Sequence, residues 1–404
     1  MASRQQPRAL GAPTIRVWLL NPYGPIPGEG WRDYRFTLMA RALAERGHEV
    51  TWFTATFAHQ SKQQRAAGWE RREVSERFAI ELVPTPSYRR NIGVARLWFE
   101  QLFARRVNKR GRALSHPDVI LAADPPQFCG AAGRRLARHH HAFFVTDCFD
   151  LWPELFVAAA PYSLRFLVNA AVAPLRKLRR RNLRATSLAI AVAETYRRVL
   201  EREGARRTVT IPIGIDVNAF APHEKRARDH VALVYAGSLG EHYDLDTLLD
   251  VLATMPKVRL TIAGRGPAEE RLRRRSASLP NVFFAGAVGV EKLSELYAAS
   301  DVGLAPYQAG STVALPTKLF DYLAAGLPVI TSLDSEVSTL IEDAHAGVRY
   351  KAGDAASLRA AIVALSDPSR RGPMATAARE LAMRFDARPL YAQFADAIEA
   401  LVRS

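Results

Sequence analysis

The sequence predicts an α/β protein made of two doubly wound domains, each a parallel sheet with helices on both faces. Three observations predict it. Short apolar runs alternate with amphipathic stretches along the chain. A chain of 404 residues is too long to fold around one ordinary hydrophobic core. The alternation also starts again after a segment rich in Pro and Gly near the middle. Such alternation is typical of parallel sheets whose strands are joined by helices.

The first half supplies the elements of one such domain. A pattern over 32–46 places Phe36, Met39 and Leu43 on one side of a helix, and Gly47 lies just past its end. Apolar runs predict strands over 15–20, 48–55, 117–123 and 141–147. These lengths suit strands buried within a sheet.

The second half repeats the pattern after residue 230. Apolar runs predict strands over 231–237, 258–264, 281–286, 301–307 and 327–332, with helices over 244–255 and 291–300. We therefore predict a loose leader over 1–13, a first domain over 14–213, a linker over 214–229, a second domain over 230–385 and a last helix over 386–404. For this helix, packing back against the first domain is one alternative. Binding loops at the strand ends should face a central cleft.

The excess of positive over negative charge is confined to the first half of the chain. The formal net charge is +16, and residues 1–190 contain 30 Lys and Arg against 14 Asp and Glu, whereas residues 191–404 contain 26 of each. Nearly half of the chain is apolar, which excludes global disorder. The asymmetry predicts an anionic partner for the first domain: a phospholipid surface, a phosphorylated lipid or a nucleic acid.

Cysteine usage and hydropathy favour a cytoplasmic protein. The two cysteines, Cys129 and Cys148, have the spacing of neither a disulfide framework nor a metal site. None of the ten histidines has metal-site spacing, so we expect no metal and no cofactor. No apolar run reaches the ~18 residues that span a bilayer, and the run over 15–20 is too short for a signal peptide.

The stretch PTKLFDYLAAGLPVI, residues 316–330, predicts a helix that binds an anion. Thr317 is a plausible N-cap, so unpaired N–H groups and the positive end of the helix dipole would face a ligand. Lys318 adds a positive charge, Asp321 offers a hydroxyl acceptor one turn on, and Gly326 suits the position after the helix. The pattern predicts a pyrophosphate site. The alternative is that Lys318 is a solvated charge and that Asp321 only complements the dipole.

Six segments occur in the order of one known family over almost the whole chain: GPIPGEGWRDYRF (24–36), DLWPE (150–154), IPIGIDVNAF (211–220), YAGSLGEHYDLDTLL (235–249), IAGRGP (262–267) and PTKLFDYLAAGLPVI. Together they resemble glycosyltransferase family 4, the retaining GT-B group that includes many bacterial lipopolysaccharide and O-antigen sugar transferases. The resemblance implies two Rossmann-like domains facing a central cleft, a nucleotide-sugar donor, and catalysis without an obligatory protein nucleophile or metal.

The resemblance also implies a set of donor-binding residues. Glycines after the first strand of each domain would let backbone N–H groups approach the donor phosphates, although flexible turns also explain them. Family members commonly carry two acids eight positions apart, whereas Val313 and Asp321 occupy those positions in this sequence. The implied set is Gly28, Gly30, Gly237, Ser238, Arg265, Gly286, Thr317, Lys318, Leu319 and Asp321.

Acidic residues at the end of the strand over 141–147 are candidates for orienting or deprotonating the acceptor. Asp147 and Asp150 would orient or deprotonate an acceptor hydroxyl, with help from Glu154. The alternative for Asp150 is that it caps a helix starting at Trp152 and Pro153.

A basic amphipathic segment over 89–112 predicts a membrane or acceptor surface. It interleaves apolar residues with eight basic ones, and 164–184 has a similar composition. The alternative is a core-facing stripe with solvated arginines. The residues that we assign to this surface are Arg89, Arg90, Arg96, Trp98, Arg105 and Arg106.

The sequence thus leads to one main hypothesis and two alternatives. The first is a glycosyltransferase on the inner face of the plasma membrane that moves a sugar, of N-acetylhexosamine type, from a UDP-type donor to a lipid-linked or lipopolysaccharide acceptor. A nucleotide-sugar 2-epimerase of the same fold would need acid and base side chains on both cleft walls. A nucleic-acid-binding protein is disfavoured because the second half is neutral and has no such motif.

Overall fold

The computed structural model describes residues 13–91, 93–154, 157, 160–220, 228–311, 313 and 316–404. The chain divides into two compact units, residues 1–212 with 388–404 and residues 213–387. The predicted linker, 214–229, falls in the second unit. Most of the predicted leader and residues 221–227 of the linker lie outside the described residues.

The first unit alternates strands and helices. Its strands are β1 (Arg16–Leu20), β2 (Glu49–Ala55), β3 (Phe57–Ala58), β4 (Gln63–Gln64), β5 (Glu70–Ser75), β6 (Phe78–Val83), β7 (Val119–Asp124), β8 (Phe143–Cys148), β9 (Leu188–Ala191) and β10 (Thr208–Thr210). Its helices are α1 (Arg35–Glu45), α2 (Val94–Gly111), α3 (Gln127–His140), a 3-10 turn (Tyr162–Leu164), α4 (Arg165–Leu183) and α5 (Glu194–Arg202).

Eight of these strands form one sheet in the order β10-β9-β8-β7-β1-β2-β6-β5. Neighbours pair in parallel except β5 and β6, which are antiparallel. Sequence reasoning missed the β5–β6 pair because the edge strand β5 carries mostly charged residues. Since the strand order reverses between β1 and β7, binding loops are expected at the carboxyl ends of the central strands.

The second unit has the sheet order of a dinucleotide-binding Rossmann domain. Its strands are β11 (Val231–Ala236), β12 (Val258–Ala263), β13 (Val282–Gly286), β14 (Val302–Ala305), β15 (Val329–Thr331) and β16 (Gly347–Arg349). Its helices are α6 (Leu245–Ala253), α7 (Glu269–Arg275), α8 (Val290–Ala298), α9 (Thr317–Ala324), α10 (Glu336–Asp343), α11 (Ala355–Ser366) and α12 (Pro368–Met383). The parallel order β13-β12-β11-β14-β15-β16 reverses between β11 and β14. The predicted fold class, two Rossmann-like α/β domains, is confirmed.

The last helix, α13 (Ala387–Arg403), belongs to the first unit from Arg388 onward. Arg46 donates to Asp396 at 2.6 Å, and Nε2 of the buried His48 lies 3.0 Å from Glu399 Oε1. The alternative that this helix packs on the first unit is thus the one observed. In the second unit, the Ile215 N–H donates to the Phe385 carbonyl at 2.9 Å. The segment that begins this unit therefore lies beside the segment that ends it, just before α13.

Candidate functional site

The loops after β11 and β14 meet at the switch point of the second sheet. An antiparallel bridge joins Tyr243 to Tyr307, and the Asp244 N–H donates to the Pro306 carbonyl at 2.9 Å. In an open parallel sheet, ligands bind outside the carboxyl ends of the strands at this point. The predicted donor residues of the second domain therefore lie where the fold favours a ligand.

Two loops beside this point contain glycines with positive φ angles. Gly237 follows β11 and Gly264 follows β12, with φ angles of 151° and 152°. A Cβ atom on Gly264 would lie 1.8 Å from the Gly237 carbonyl oxygen, so no side chain fits. Since the Gly237 N–H donates to the Ala263 carbonyl at 2.9 Å, the two loops pack backbone against backbone.

Helix α9 begins beside these loops. Thr317 is its first residue and Pro316 occupies the N-cap position without a side-chain hydrogen bond, so the predicted Thr317 cap is wrong by one position. The physical reason is that Pro316, with an extended backbone, ends the preceding loop and already fills the cap position. The N–H groups of a first helical turn have no acceptor within the helix, which still favours an anion at this end.

Tyr322 fixes α9 against the sheet. Its hydroxyl accepts a hydrogen bond from the Ala236 N–H at 2.8 Å and donates to the Leu304 carbonyl at 3.1 Å, which ties the helix to β11 and β14. The helix ends at Ala324, and Gly326, with φ of 66°, takes the left-handed conformation just past its end, as predicted. The Leu327 N–H donates back to the Tyr322 carbonyl at 2.9 Å. Together these bonds set the position of the first turn.

Lys318, on that first turn, lies in a cage of tyrosine rings. Its Nζ atom is 3.7 Å from the ring centroid of Tyr243, 4.4 Å from that of Tyr235 and 5.7 Å from that of Tyr307. The same nitrogen donates to the Tyr235 hydroxyl at 3.3 Å. A Cβ atom on Gly237 would come within 2.6 Å of Nζ, so the ammonium lies directly against the loop after β11.

Burial lowers the pKa of Lys318 to about 7. Among the described residues its partners are aromatic rings and one phenol, with no carboxylate. Cation–π contacts offset the loss of hydration only in part. An anion placed against Nζ would restore the charged form, which is the behaviour expected of a lysine that binds phosphate.

Other predicted donor residues of this unit surround the lysine or lie on neighbouring loops. Asp321 is buried one turn further along α9. Leu319 is also buried, and its N–H donates to the Pro316 carbonyl at 3.1 Å, which occupies that donor. Ser238 and Arg265 are exposed at the ends of β11 and β12. Each of these positions adjoins the switch point, and their donor roles stay predictions.

Two further positions can be compared with the family pattern. Gly286 ends β13 with φ of 71°, and its carbonyl accepts the Gly264 N–H at 2.7 Å. A Cβ atom there would meet nothing within 4 Å, so the requirement for glycine is conformational. Val313, at the position of the missing family acid, is exposed.

The glycine loop of the first unit follows β1. Gly28 and Gly30 have φ angles of 90° and 75°, and a Cβ atom on either would meet nothing within 4 Å. Arg65 holds this loop by donating to Glu29 at 2.6 Å and to the Gly24 carbonyl at 2.8 Å. The loop is therefore anchored at its sides, with open space beside the two predicted glycines.

Asp147 is a buried ion-pair partner. Its two carboxylate oxygens accept from Arg35 Nε and Nη2 at 2.8 and 2.7 Å, and the aspartate is fully buried. Arg35 also donates to the Ile211 carbonyl at 3.0 Å. These contacts favour a positioning role that ties α1 and β8 to the segment after β10, in place of direct contact with an acceptor. Sequence reasoning missed Arg35 because 112 residues separate the pair.

Asp150 follows β8 and is half-buried. Its oxygens accept from the Leu151 N–H at 2.8 Å and from Trp152 Nε1 at 3.1 Å, and its role toward an acceptor stays a prediction. Burial raises the pKa of Asp150 to about 6, against the opposing effect of these hydrogen bonds. Glu154 pairs with Arg176 and Arg179, at 3.1 and 2.9 Å.

Asp124 is a candidate that sequence reasoning missed. It is the buried last residue of β7, beside the switch point of the first sheet. Burial raises its pKa to about 7, a value suited to general acid–base work, and Gln127 Nε2 donates to Oδ1 at 3.2 Å. The sequence signal was an acid at the end of a predicted strand, just before Pro125 and Pro126.

The predicted membrane surface is only partly exposed. Arg89, Arg90, Trp98 and Arg105 are exposed, whereas Arg106 is half-buried and donates to a backbone carbonyl at 2.6 Å. Arg96 is buried and contacts Tyr23 and Glu100, which corrects its assignment to the outer surface. Since the helix period turns Arg96 toward Phe99 and Phe103, it lies on the inner face of α2. In the described part of the chain, no helix is long and apolar enough to cross a bilayer.

Replacement of Lys318 by Met should stabilise the second unit. The folded pKa is about 7 and the ordinary value about 10.5, so the destabilising effect is complete below pH 7 and disappears as pH rises through 10.5. We expect a gain on the order of a few kcal/mol at pH 7, smaller at pH 9.5, together with at least tenfold weaker binding of UDP or GDP. Scanning calorimetry and titration calorimetry measure these effects.

The exposed Lys257→Met variant is the matched control. All six tryptophans lie in the first unit, so Trp fluorescence identifies the transition that belongs to that unit. An unchanged nucleotide affinity in Lys318→Met would contradict the role assigned to the ammonium.

Two glycosyltransferase families match the two units of the chain. Residues 35–219 match Glycosyltransferase Family 4, and residues 230–367 match Glycosyl transferases group 1. One curated relative, a GDP-mannose-dependent alpha-(1-6)-phosphatidylinositol dimannoside mannosyltransferase of Mycobacterium tuberculosis, is 32% identical over 157 residues. The match covers 36% of this chain and 40% of the relative, so it spans less than half of either protein.

Solved structures of glycosyltransferases share the fold over nearly the whole chain. Sucrose-phosphate synthase from Thermosynechococcus elongatus superposes with a TM-score of 0.73 at 18% identity, over 95% of this chain and 98% of that one. WaaG, a glycosyltransferase involved in lipopolysaccharide biosynthesis, superposes with a TM-score of 0.63 at 19% identity, over 95% and 99%. The chain thus matches one glycosyltransferase family model in each half and shares the two-domain fold of these solved structures.

Proposed function

We propose that the chain transfers a sugar from a nucleotide sugar to a lipid-linked or lipopolysaccharide acceptor, with retention of anomeric configuration, in the synthesis of cell-surface polysaccharide. The observation that carries the proposal is Lys318, which is caged by tyrosines at the switch point and lacks a carboxylate partner among the described residues. The two matched glycosyltransferase families support the class of reaction.

In the proposed reaction, the donor diphosphate lies against Lys318 and the first turn of α9. Asp321, one turn further along, accepts hydrogen bonds from donor hydroxyls. The bond between the sugar C1 and the phosphate oxygen breaks, and C1 bonds to the acceptor oxygen on the same face. The acceptor proton passes to the departing phosphate oxygen, whose charge Lys318 and the helix N-terminus stabilise. Neither a protein nucleophile nor a metal is part of this proposal.

The acceptor is assigned to the carboxyl edge of the first sheet. Asp150 and Asp124 lie there, and burial raises the pKa of each toward neutrality, to about 6 and about 7. A carboxylate in that range accepts a hydrogen bond from a hydroxyl and orients it without fully removing the proton. For the donor we propose a UDP sugar of N-acetylhexosamine type. GDP-mannose is the comparison, since the mycobacterial relative is named for it.

We also propose that the first unit attaches peripherally to an anionic membrane, on the inner face of the plasma membrane. Tyr162, Phe166 and Leu167 have 88%, 80% and 62% of their surface exposed, at the start of α4. The segment 155–193 contains seven Lys and Arg and no Asp or Glu. Apolar side chains beside basic ones suit the interface of anionic lipid, where each basic residue contributes about 1 kcal/mol.

Transfer is tested by the release of nucleoside diphosphate from UDP-N-acetylglucosamine, UDP-glucose and GDP-mannose, with and without a bacterial glycolipid extract. We expect release that depends on the extract. Asp321→Asn should lower kcat/KM about tenfold or more through lost hydroxyl contacts, whereas Asp343→Asn, an exposed control on α10, should leave it unchanged. Release of an epimerised free sugar without acceptor would instead favour the epimerase, and no response to any donor would contradict the proposal.

Membrane attachment is tested by cosedimentation with vesicles of phosphatidylglycerol and phosphatidylcholine. Wild-type protein should sediment with the anionic vesicles and lose binding at high salt, because charge screening weakens the attraction. The double variant Phe166→Ser and Leu167→Ser should bind more weakly. Val363→Ser, at an apolar residue with 54% exposure in the second unit, is the control. Equal sedimentation of the double variant and wild type would refute this surface.

A further inference from the structure

We propose that a cluster on the first unit, formed by His59, Lys62, Tyr88, Asn91 and Arg96, binds a phosphate group of the acceptor. The inference rests on the proposed function and adds the acceptor's chemical class. The cluster is built by the chain that follows β2 and β6 and by the first turn of α2, so it lies toward the carboxyl edge of the sheet.

Lys62 is directed into the cluster by an unusual backbone conformation. Its φ angle is 58°, in the left-handed region, at the tight turn between β3 and β4. A residue with a Cβ atom rarely adopts this region, so the surrounding contacts must hold it there. Nζ donates to Asn91 Oδ1 at 2.7 Å and lies 4.6 Å from the Tyr88 ring centroid.

Arg96 supplies a second cation from the inner face of α2. Its Nε donates to the Tyr23 hydroxyl at 2.9 Å and to Glu100 at 3.2 Å, and Nη1 donates to the Asn91 carbonyl at 2.7 Å. The guanidinium carbon lies 4.0 Å from the ring centroid of Trp152. Nη2 makes no hydrogen bond to the described residues, which leaves a fixed donor for a ligand.

The charges of the cluster do not balance. Lys62 and Arg96 are cations, and Glu100, the acid that contacts Arg96, also receives the Tyr23 hydroxyl. Lys62 has only neutral partners within the described residues. Burial, Lys62 and Arg96 together lower the pKa of His59 to about 4, so the ring stays neutral and adds no positive charge. Lys62, an exposed side chain, thus has no carboxylate partner among the described residues, and its positive charge is available to an anion.

His59 is neutral and can donate a hydrogen bond through Nε2. Its Nδ1 lies 2.5 Å from the Tyr88 hydroxyl and 3.4 Å from Lys62 Nζ. Because the ammonium can only donate, Nδ1 is the acceptor and Nε2 carries the proton. The cluster therefore offers donors of three kinds, from Lys62, His59 and Arg96, and a phosphate group has the oxygens to receive several at once.

The position of the cluster assigns it to the acceptor. The indole of Trp152 stacks on Arg96 and donates through Nε1 to Asp150 at 3.1 Å, so one side chain connects the cluster to the residue proposed to orient the acceptor hydroxyl. The proposed diphosphate site is on the other unit, at Lys318. The mycobacterial relative is named for a phosphatidylinositol-based acceptor, which carries a phosphodiester.

Titration calorimetry with myo-inositol 1-phosphate, myo-inositol and inorganic phosphate tests the assignment. The phosphate ester should bind to wild-type protein and myo-inositol should not. Lys62→Gln should weaken binding of the ester at least tenfold by removing one charged contact. Asn91→Asp should do the same by giving Lys62 an internal carboxylate. Lys109→Gln, at an exposed lysine near the end of α2, should bind like wild type.

Three results would overturn the inference: no binding of the ester to wild-type protein, an unchanged affinity in both Lys62→Gln and Asn91→Asp, or inorganic phosphate binding as tightly as the ester. The last would assign the cluster to free phosphate. Binding of UDP and GDP is measured on the same variants and should not change. Failure of wild-type protein to bind any nucleotide would contradict the proposed function and leave the phosphate cluster standing.

Discussion

The candidate site of the second unit depends on the contact between the Lys318 ammonium and tyrosine rings, with no carboxylate partner among the described residues. The Nζ atom of Lys318 lies against Gly237, and three tyrosine rings surround it. An interior of this kind is poorly suited to a permanent charge, so the arrangement lowers the stability of the empty unit. Such a cost is understandable where a ligand supplies the missing negative charge, and the switch point of a parallel sheet is where ligands bind.

Several contacts within the second unit hold that lysine in place. Tyr322 bonds to the backbone of β11 and β14, and a Cβ atom on Gly303 would lie 2.4 Å from its ring. Gly264 lets its loop pack directly on the Gly237 backbone, and Gly237 leaves room for the end of the Lys318 side chain. Because these contacts are made by backbone and by one buried phenol, the first turn of α9 has a single position relative to the sheet.

Buried charges in the first unit are arranged differently from Lys318. Buried Arg35 and Arg179 are each matched by carboxylates, Asp147 for the first and Glu203 at 2.6 Å for the second, and these pairs join distant segments of the chain. Toward the carboxyl edge the matching is incomplete: Lys62 has neutral partners and burial raises the pKa of Asp124 to about 7. Fully paired charges hold the fold, whereas incompletely paired ones are candidates for binding and catalysis.

Structural elements that depend on residues close together in sequence were the ones that the sequence predicted. The start of α9 at Thr317, the glycine after its end and the strands β1, β2, β7, β8 and β11 to β15 were predicted from residues close together in sequence, whereas β5, β6, β9, β10 and β16 were missed. Contacts between distant residues could not be read in this way. Lys318 and Tyr235 are 83 residues apart, and Arg35 and Asp147 are 112 apart, so the tyrosine cage and the structural use of Asp147 required the folded chain.

For a related reason, the sequence alone did not predict that Arg96 faces the core. The composition of α2 is basic throughout, and only the helix period together with the packing of Phe99 and Phe103 decides which arginine faces the core. Charge totals therefore located the unit that carries the excess positive charge but not the individual residues that would contact an anion.

The most direct test of the account is titration calorimetry of UDP, and of GDP, at pH 8 in buffers of different ionisation enthalpy. Burial sets the pKa of Lys318 at about 7, so the free protein is mostly deprotonated there at pH 8. A diphosphate on the ammonium should recharge it, and the buffer dependence should report uptake of close to one proton per nucleotide, lost in Lys318→Met. Nucleotide binding with the same heat in every buffer would contradict contact between the diphosphate and this lysine.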